Sequence, residues 1–224
     1  RALSTVPGDY WIRMFYCYPN SFTDEVLEVM ASDPRFCRYL DMPFQHISDP
    51  VLKKMNRKIT RKEIEATMAR VRRQLPDVAW RTTFIVGFPT ETDQDFEELL
   101  DFVSEGHFQH FGIFLYSDED NIRSSKFGDP IPLSLKDERK NRLMEIQQKI
   151  SREHHQKMVG SLQQVLVEGF SSETDLLLEG RNQYQGPEVD GVVYINEGNA
   201  TSAGFHQVEI TEAHEYDLVG KILN

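Results

Sequence analysis

Gln45 and Gly87 mark the two places where this chain gathers side chains able to do chemistry. Each belongs to an apolar run that breaks into a polar turn with Gly or Pro and then into a helical pattern. The runs are Pro43-Phe44-Gln45-His46-Ile47-Ser48-Asp49 and Arg81-Thr82-Thr83-Phe84-Ile85-Val86-Gly87-Phe88-Pro89-Thr90-Glu91-Thr92. Polar side chains collected at the C-terminal ends of strands are how α/β enzymes build sites. Gln45 brings both an amide donor and an amide acceptor to one such end. Gly87 follows a β-branched strand, where the lack of a side chain lets a ligand approach the backbone. Ser48 reads equally as a ligand contact or as the cap of the next helix. His46 has the chemistry of a proton shuttle, although an isolated histidine beside a turn reads first as a hydrogen-bonded structural residue. Arg81 is a cation inside an otherwise apolar strand and needs a partner, either a ligand carboxylate or a structural one such as Asp41. Arg57, closing Val51-Leu52-Lys53-Lys54-Met55-Asn56-Arg57, reads as a solvated helix-end charge or as a ligand contact.

The metal-ligating residue types are sparse. Cys17 and Cys37 are the only cysteines. Cys17 falls in an apolar run, as a small core residue would. His154 and His155 are adjacent on a helical pattern and face different directions, which does not suit one metal. The chain is therefore expected to bind no metal by itself. Two unpaired-looking cysteines favour a reducing, cytoplasmic compartment over a secreted disulfide scaffold. No apolar run approaches the roughly 20 residues of a membrane span, and no signal peptide is legible. The first residue is Arg1 rather than Met, which fits a fragment.

With 224 residues, 39% of them hydrophobic, and a mean hydropathy of −0.50, the chain suits one large or two modest globular domains. Its net charge of −11 disfavours general affinity for nucleic acid phosphates. The charge is uneven. Residues 159–224 hold eleven Asp/Glu against Arg181 and Lys221, a net −9, which leaves the other 158 residues at −2. Residues 53–73 run the other way, with nine Lys/Arg against Glu63 and Glu65.

The elements that must position these residues are legible from periodicity. Apolar runs at 11–18, 39–44, 78–86 and 110–116 read as strands, and helical patterns follow at 24–30, 49–55, 61–75 and 93–102. Thr23 and Thr60 read as helix caps, and Pro50 suits a first helical turn. Alternation at this spacing predicts parallel βαβ units. Residues 121–133 read as loop. Ser134 reads as the cap of a long helix over 135–158 whose apolar stripe, Leu143, Ile146, Ile150 and Met158, is thin. After Gly160 come five short strands, at 162–167, 176–181, 189–195, 207–213 and 216–223, which predict a small closed β-barrel of OB-like kind.

Taken together, these segments resemble the radical S-adenosylmethionine (SAM) methylthiotransferases. The resemblance runs from about Trp11 to the end and is strongest over 39–57, 78–92 and 184–194. Residues 43–49 are similar to that family's P-x-Q-[SH]-x-S-D segment and 85–92 to its IVGFPGET segment, with Thr90 here where the family usually has Gly. The resemblance implies an open, partial radical SAM β/α barrel over 1–133, a connecting helix over 134–158 and a TRAM domain over 159–224. It implies that SAM lies against Gln45, Ser48, Arg57, Arg81, Ile85, Gly87 and Glu91. Ile85 would pack on the adenine, Gln45 would meet the ribose or amino-acid part, and Glu91 would hold the turn.

Tyr184-Gln185-Gly186-Pro187-Glu188-Val189-Asp190-Gly191-Val192-Val193 resembles the EAPEVDGVV segment of the RimO-type enzymes, which methylthiolate an aspartate of a small-subunit ribosomal protein. Arg81-Thr82-Thr83 looks RimO-like as well. The resemblance implies two 4Fe–4S clusters in the whole enzyme, one of which cleaves SAM to a 5′-deoxyadenosyl radical. The family's CxxxCxxC loop is not among these residues, so the fragment is expected to be inactive alone. Glu188 and Asp190, in the acidic module, are expected to face a basic ribosomal protein. The rival readings are a tRNA methylthiotransferase of MiaB type, supported by the basic island at 53–73, and a non-catalytic protein-binding module. A closed TIM barrel is disfavoured, since four strands are too few.

Overall fold

In a computed structural model, which describes residues 2–119, 124–198, 200 and 203–223, the first half is a parallel sheet backed by helices. The strands are β1 (Ile12–Met14), β2 (Phe36–Asp41), β3 (Ala79–Val86) and β4 (His110–Leu115), side by side in sequence order. The connections carry α1 (Asp24–Ser32), α2 (Asp49–Lys54), α3 (Arg61–Gln74) and α4 (Asp93–Ser104). Parallel neighbours need such crossovers.

Alternation along β3 divides the sheet into two faces. Trp80, Phe84 and Val86 point into a core with Leu27 and Met30 of α1, Ile64 and Met68 of α3, and Phe96 and Leu99 of α4. Arg81, Thr83 and Ile85 point the other way. Register carries that second face across the strands: Asp41 pairs with Arg81, and Arg81 with His110. Three ionisable residues thus stand in one row.

Capping fixes where the helices start. Thr60 accepts from the Glu63 amide while Glu63 reaches back to Thr60, and Thr92 and Asp95 do the same for α4. Three expected caps take a different form. Thr23 and Ser48 occupy N-cap positions without a side-chain cap bond, and Ser134 lies inside its helix, which starts at Leu133 behind Pro132. The expected strand over 11–18 shortens to Ile12–Met14 because Tyr16 adopts φ +53, which no strand residue tolerates. Of the expected loop over 121–133, residues 121–123 lie outside the described residues.

Helix α5 (Leu133–Gln156) buries Lys136, Arg139, Leu143, Gln147, Ser151 and His155. This is a helical face with one hydrophobic member, and its thin apolar stripe is thereby explained: most of the packing is polar. Beyond α5, β5 (Leu162–Phe170), β6 (Leu178–Asn182), β7 (Val193–Glu197), β8 (Gly204–Ala213) and β9 (Leu218–Ile222) close into a barrel in the order β5-β6-β7-β9-β8. Val165, Val167, Val193, Ile195, Val208 and Ile210 fill it. The third strand starts later than the pattern suggests, at Val193 rather than 189, because residues 186–190 leave the barrel to meet the sheet.

Candidate functional site

The turn after β2 is drawn back onto β3. The Gln45 amide donates to Thr83 O at 2.8 Å and the Ile85 amide to Gln45 O at 2.8 Å. Gln45 takes φ +76 to do so, a conformation costly for a residue with a Cβ. Asn56, at φ +59, closes α2 nearby. These two turns and the ends of β3 and β4 enclose a groove of about 570 Å³. Gln45 and Arg57 are among its polar groups, beside Lys54, Asn56 and Glu119, and Ile85, Phe88, Phe114 and Tyr116 form its apolar walls. A planar base suits such walls, and hydroxyl or carboxylate groups suit an amide beside a guanidinium. Among the described residues Arg57 has no ion-pair partner, so its charge is available to a ligand.

A second cavity of about 460 Å³ shares Gln45, Arg57 and Phe114 with the first and continues over Tyr16, Asp41, Arg81 and Val189. Arg81 is tied within it. It donates to Asp41 at 3.2 Å and faces Asp190 at 3.4 Å. Burial alone would lower its pKa, but Tyr39, Asp190 and Asp41 together raise it. Its partners in this structure are two structural carboxylates.

The remaining expected site residues sit behind the groove. Ser48 is buried, and its hydroxyl donates to Asp95 rather than capping α2. The Ser48 amide donates to His46 Nδ1 at 3.0 Å, and burial holds the His46 pKa down to about 4. His46 is therefore a neutral structural residue. The Glu91 carboxylate accepts from the Gly87 and Phe88 amides and pairs with Arg139 at 3.1 Å. Burial, opposed by Arg139, raises its pKa to about 7.

Gly87 has a structural reason to lack a side chain. At φ +75 it turns its missing side chain toward α5, where a Cβ would overlap Lys136 Cγ and lie 2.7 Å from Cδ. Lys136 Nζ donates to Tyr116 O at 2.8 Å and to Asp129 at 2.6 Å. The glycine makes room for a lysine that clamps the turn. Lys136 and Arg139 escape a reading of sequence because both look like ordinary charges on a solvated helix.

The acidic pair also divides. Glu188 is exposed, at φ +63. The Asp190 side chain, 3% exposed, lies against the sheet: it accepts from Tyr39 Oη at 2.6 Å and from the Gly186 amide at 2.7 Å.

The donor set does not fit an iron–sulfur cluster. Cys17 and Cys37 are buried, and burial pushes both thiols up to about 11, far from the thiolate such a cluster needs. Among the described residues no three His, Cys, Asp or Glu side chains converge as a metal site, and no helix is long and apolar enough to cross a membrane.

Two family models match the chain, the Radical SAM superfamily over residues 6–103 and the TRAM domain over 159–223. Three similar curated relatives carry one description, ribosomal protein uS12 methylthiotransferase RimO. That of Bdellovibrio bacteriovorus is 49% identical over 100% of this chain and 49% of its own length. That of Geobacter sulfurreducens is 43% identical over 100% and 50%. That of Desulfotalea psychrophila is 46% identical over 100% and 50%. The chain spans about half the length of the curated relatives it matches.

Proposed function

We propose that the chain is part of a RimO-type radical SAM methylthiotransferase and that the whole protein methylthiolates an aspartate of ribosomal protein uS12, with this chain supplying the SAM groove and the module that meets the substrate. The observation that carries the reading is the joining of Gln45, Arg57 and Ile85 in one groove. Ile85, Phe88 and Tyr116 would hold the adenine, Gln45 the ribose, and Arg57 a carboxylate. Glu91, Ser48 and Gly87 act from behind, by setting the turns that place Phe88 and Gln45. When bound, SAM with a 4Fe–4S cluster supplies one-electron chemistry, and the protein supplies position and electrostatics. The cluster ligands are assigned to parts of the protein outside these residues.

Charge supports a protein substrate. The barrel module holds eleven acids against two bases, which attracts a basic ribosomal protein and repels phosphate. The basic island at 53–73 favours the tRNA reading less than its count suggests. Arg61 is paired with Glu65 at 2.8 Å, Arg70 with Asp24 at 3.0 Å, and Arg72 donates to His107 O.

Calorimetric titration of this chain with SAM, and separately with purified uS12, tests the proposal. Saturable binding of both is expected. Gln45→Ala and Ile85→Asp should each weaken SAM by about tenfold or more, through a lost buried hydrogen bond and a charge placed on the base-binding wall. SAM binding indifferent to both substitutions would remove the groove from the account.

A further inference from the structure

Residues 186–191 leave the barrel and lie on the inner face of the sheet. Asp190 is 3% exposed in its side chain and is met from three adjacent strands: by Tyr39 Oη of β2 at 2.6 Å, Arg81 Nε of β3 at 3.4 Å and His110 Nδ1 of β4 at 3.6 Å. Gly186 fits only because it lacks a side chain, since a Cβ would lie 2.6 Å from Tyr39 Oη. Arg81 in turn holds Asp41 on the floor of the second cavity. The next residue back from Asp190, Val189, lines that same cavity, and Glu188 stands exposed beside it at φ +63. A non-glycine residue in that region persists only when its surroundings hold it. Resting on the function proposed above, we propose that Asp190 and Arg81 form the joint that fixes the Glu188–Val189 corner of the acidic barrel at the rim of the second cavity, which makes the pair a determinant of which macromolecule the groove admits: a basic protein segment rather than an RNA.

The joint is one end of a longer seam. Arg13 donates to Asn182 O at 3.2 Å, the Arg38 amide donates to Gln183 Oε1 at 3.3 Å, and His110 Nε2 meets Tyr184 O at 2.9 Å. At the far end Trp11 packs edge-on against Phe205 with ring centroids 4.8 Å apart. The strongest charges of the seam, however, lie at Asp190. Removing Arg81 leaves Asp41 and Asp190 side by side without their shared cation, and removing the Asp190 charge unties the corner from Arg81, Tyr39 and His110, so the corner should swing away rather than remain in place. Arg81 and Asp190 are positioning residues in this scheme: they act on the substrate through Glu188 and Val189.

Trp11 is a built-in reporter of the seam, because the other tryptophan, Trp80, is fully buried in the helix-side core. Asp190→Asn and Arg81→Gln in the full chain should each red-shift the Trp11 emission and weaken uS12 binding by about tenfold or more. The double variant should be no worse than either single one, as expected of residues that act as a unit. Arg81→Lys, which keeps the charge, should restore most of the emission. Tyr39→Phe, which preserves the fold's shape, should give a smaller shift in the same direction. Weakened uS12 binding with Trp11 emission unmoved would overturn the joint and make Asp190 a direct contact. Additive effects in the double variant would overturn it as well. A wild-type chain that shows the Trp11 response in its variants but binds no uS12 would uphold the joint as a structural element and overturn the function on which its specificity role rests.

Discussion

His46 is fully buried, and burial lowers its pKa from 6.5 to about 4, so the folded protein keeps it neutral at neutral pH. The unfolded chain takes up a proton near pH 6.5 and the folded one only near 4. The stability contributed by the neutral form is therefore complete above about pH 6.5 and is lost as pH falls toward 4. The span corresponds to roughly 3 kcal/mol at one pKa unit per 1.4 kcal/mol. Burial lowers the pKa of His154 and His155 too, which adds to the same acid-side loss. His46→Asn keeps an acceptor for the Ser48 amide and removes the titration. Denaturant melts between pH 7 and 4.5 should show a shallower stability loss for this variant than for the wild type, and parallel profiles would show that His46 is not the group that titrates. At this scale the sequence reading names residues that share one groove and misses their partners. Gln45, Arg57 and Ile85 sit together as their motifs imply, because strand ends and turns are local. The partners of Arg81, Ser48 and Asp190 lie 40, 47 and 151 positions away, and no local pattern carries that information.

Helix α5 shows what periodicity leaves out among the elements. Its buried face holds Lys136, Arg139, Gln147, Ser151 and His155 around a single Leu143, so a search for apolar spacing sees a surface helix. Packing through polar groups is directional and depends on the opposing surface. At Lys136 that surface is the Gly87 turn. Gly87→Ala would force a Cβ into the Lys136 stem and strain a φ of +75. The two effects together should cost about 2–4 kcal/mol, read as a lowered midpoint in urea. In the Lys136→Ala background the added cost should drop to about 1 kcal/mol, the backbone part alone. Equal costs in both backgrounds would show that the lysine does not fill the glycine's space. The capping boxes at Thr60 and Thr92, by contrast, involve residues three apart, and such short-range chemistry is legible.

Over the whole molecule, the division into a parallel sheet with helices and a small closed barrel follows from alternation and turn spacing, and the structure has both. How the two meet does not follow, because the seam is built from side chains of every type. It places the acidic barrel beside the cavity that continues from the proposed SAM groove, through Val189. A small ligand in one cavity and a macromolecular segment in the next is the arrangement a group transfer to a protein needs. The proposal that uS12 is that protein is tested most directly with the full-length protein, reconstituted anaerobically with iron and sulfide and given SAM, a reductant and either uS12 or tRNA. Mass spectrometry of both products reads the outcome. The account predicts one methylthio group on a single uS12 aspartate and none on tRNA. Methylthiolated tRNA with unmodified uS12 would contradict it.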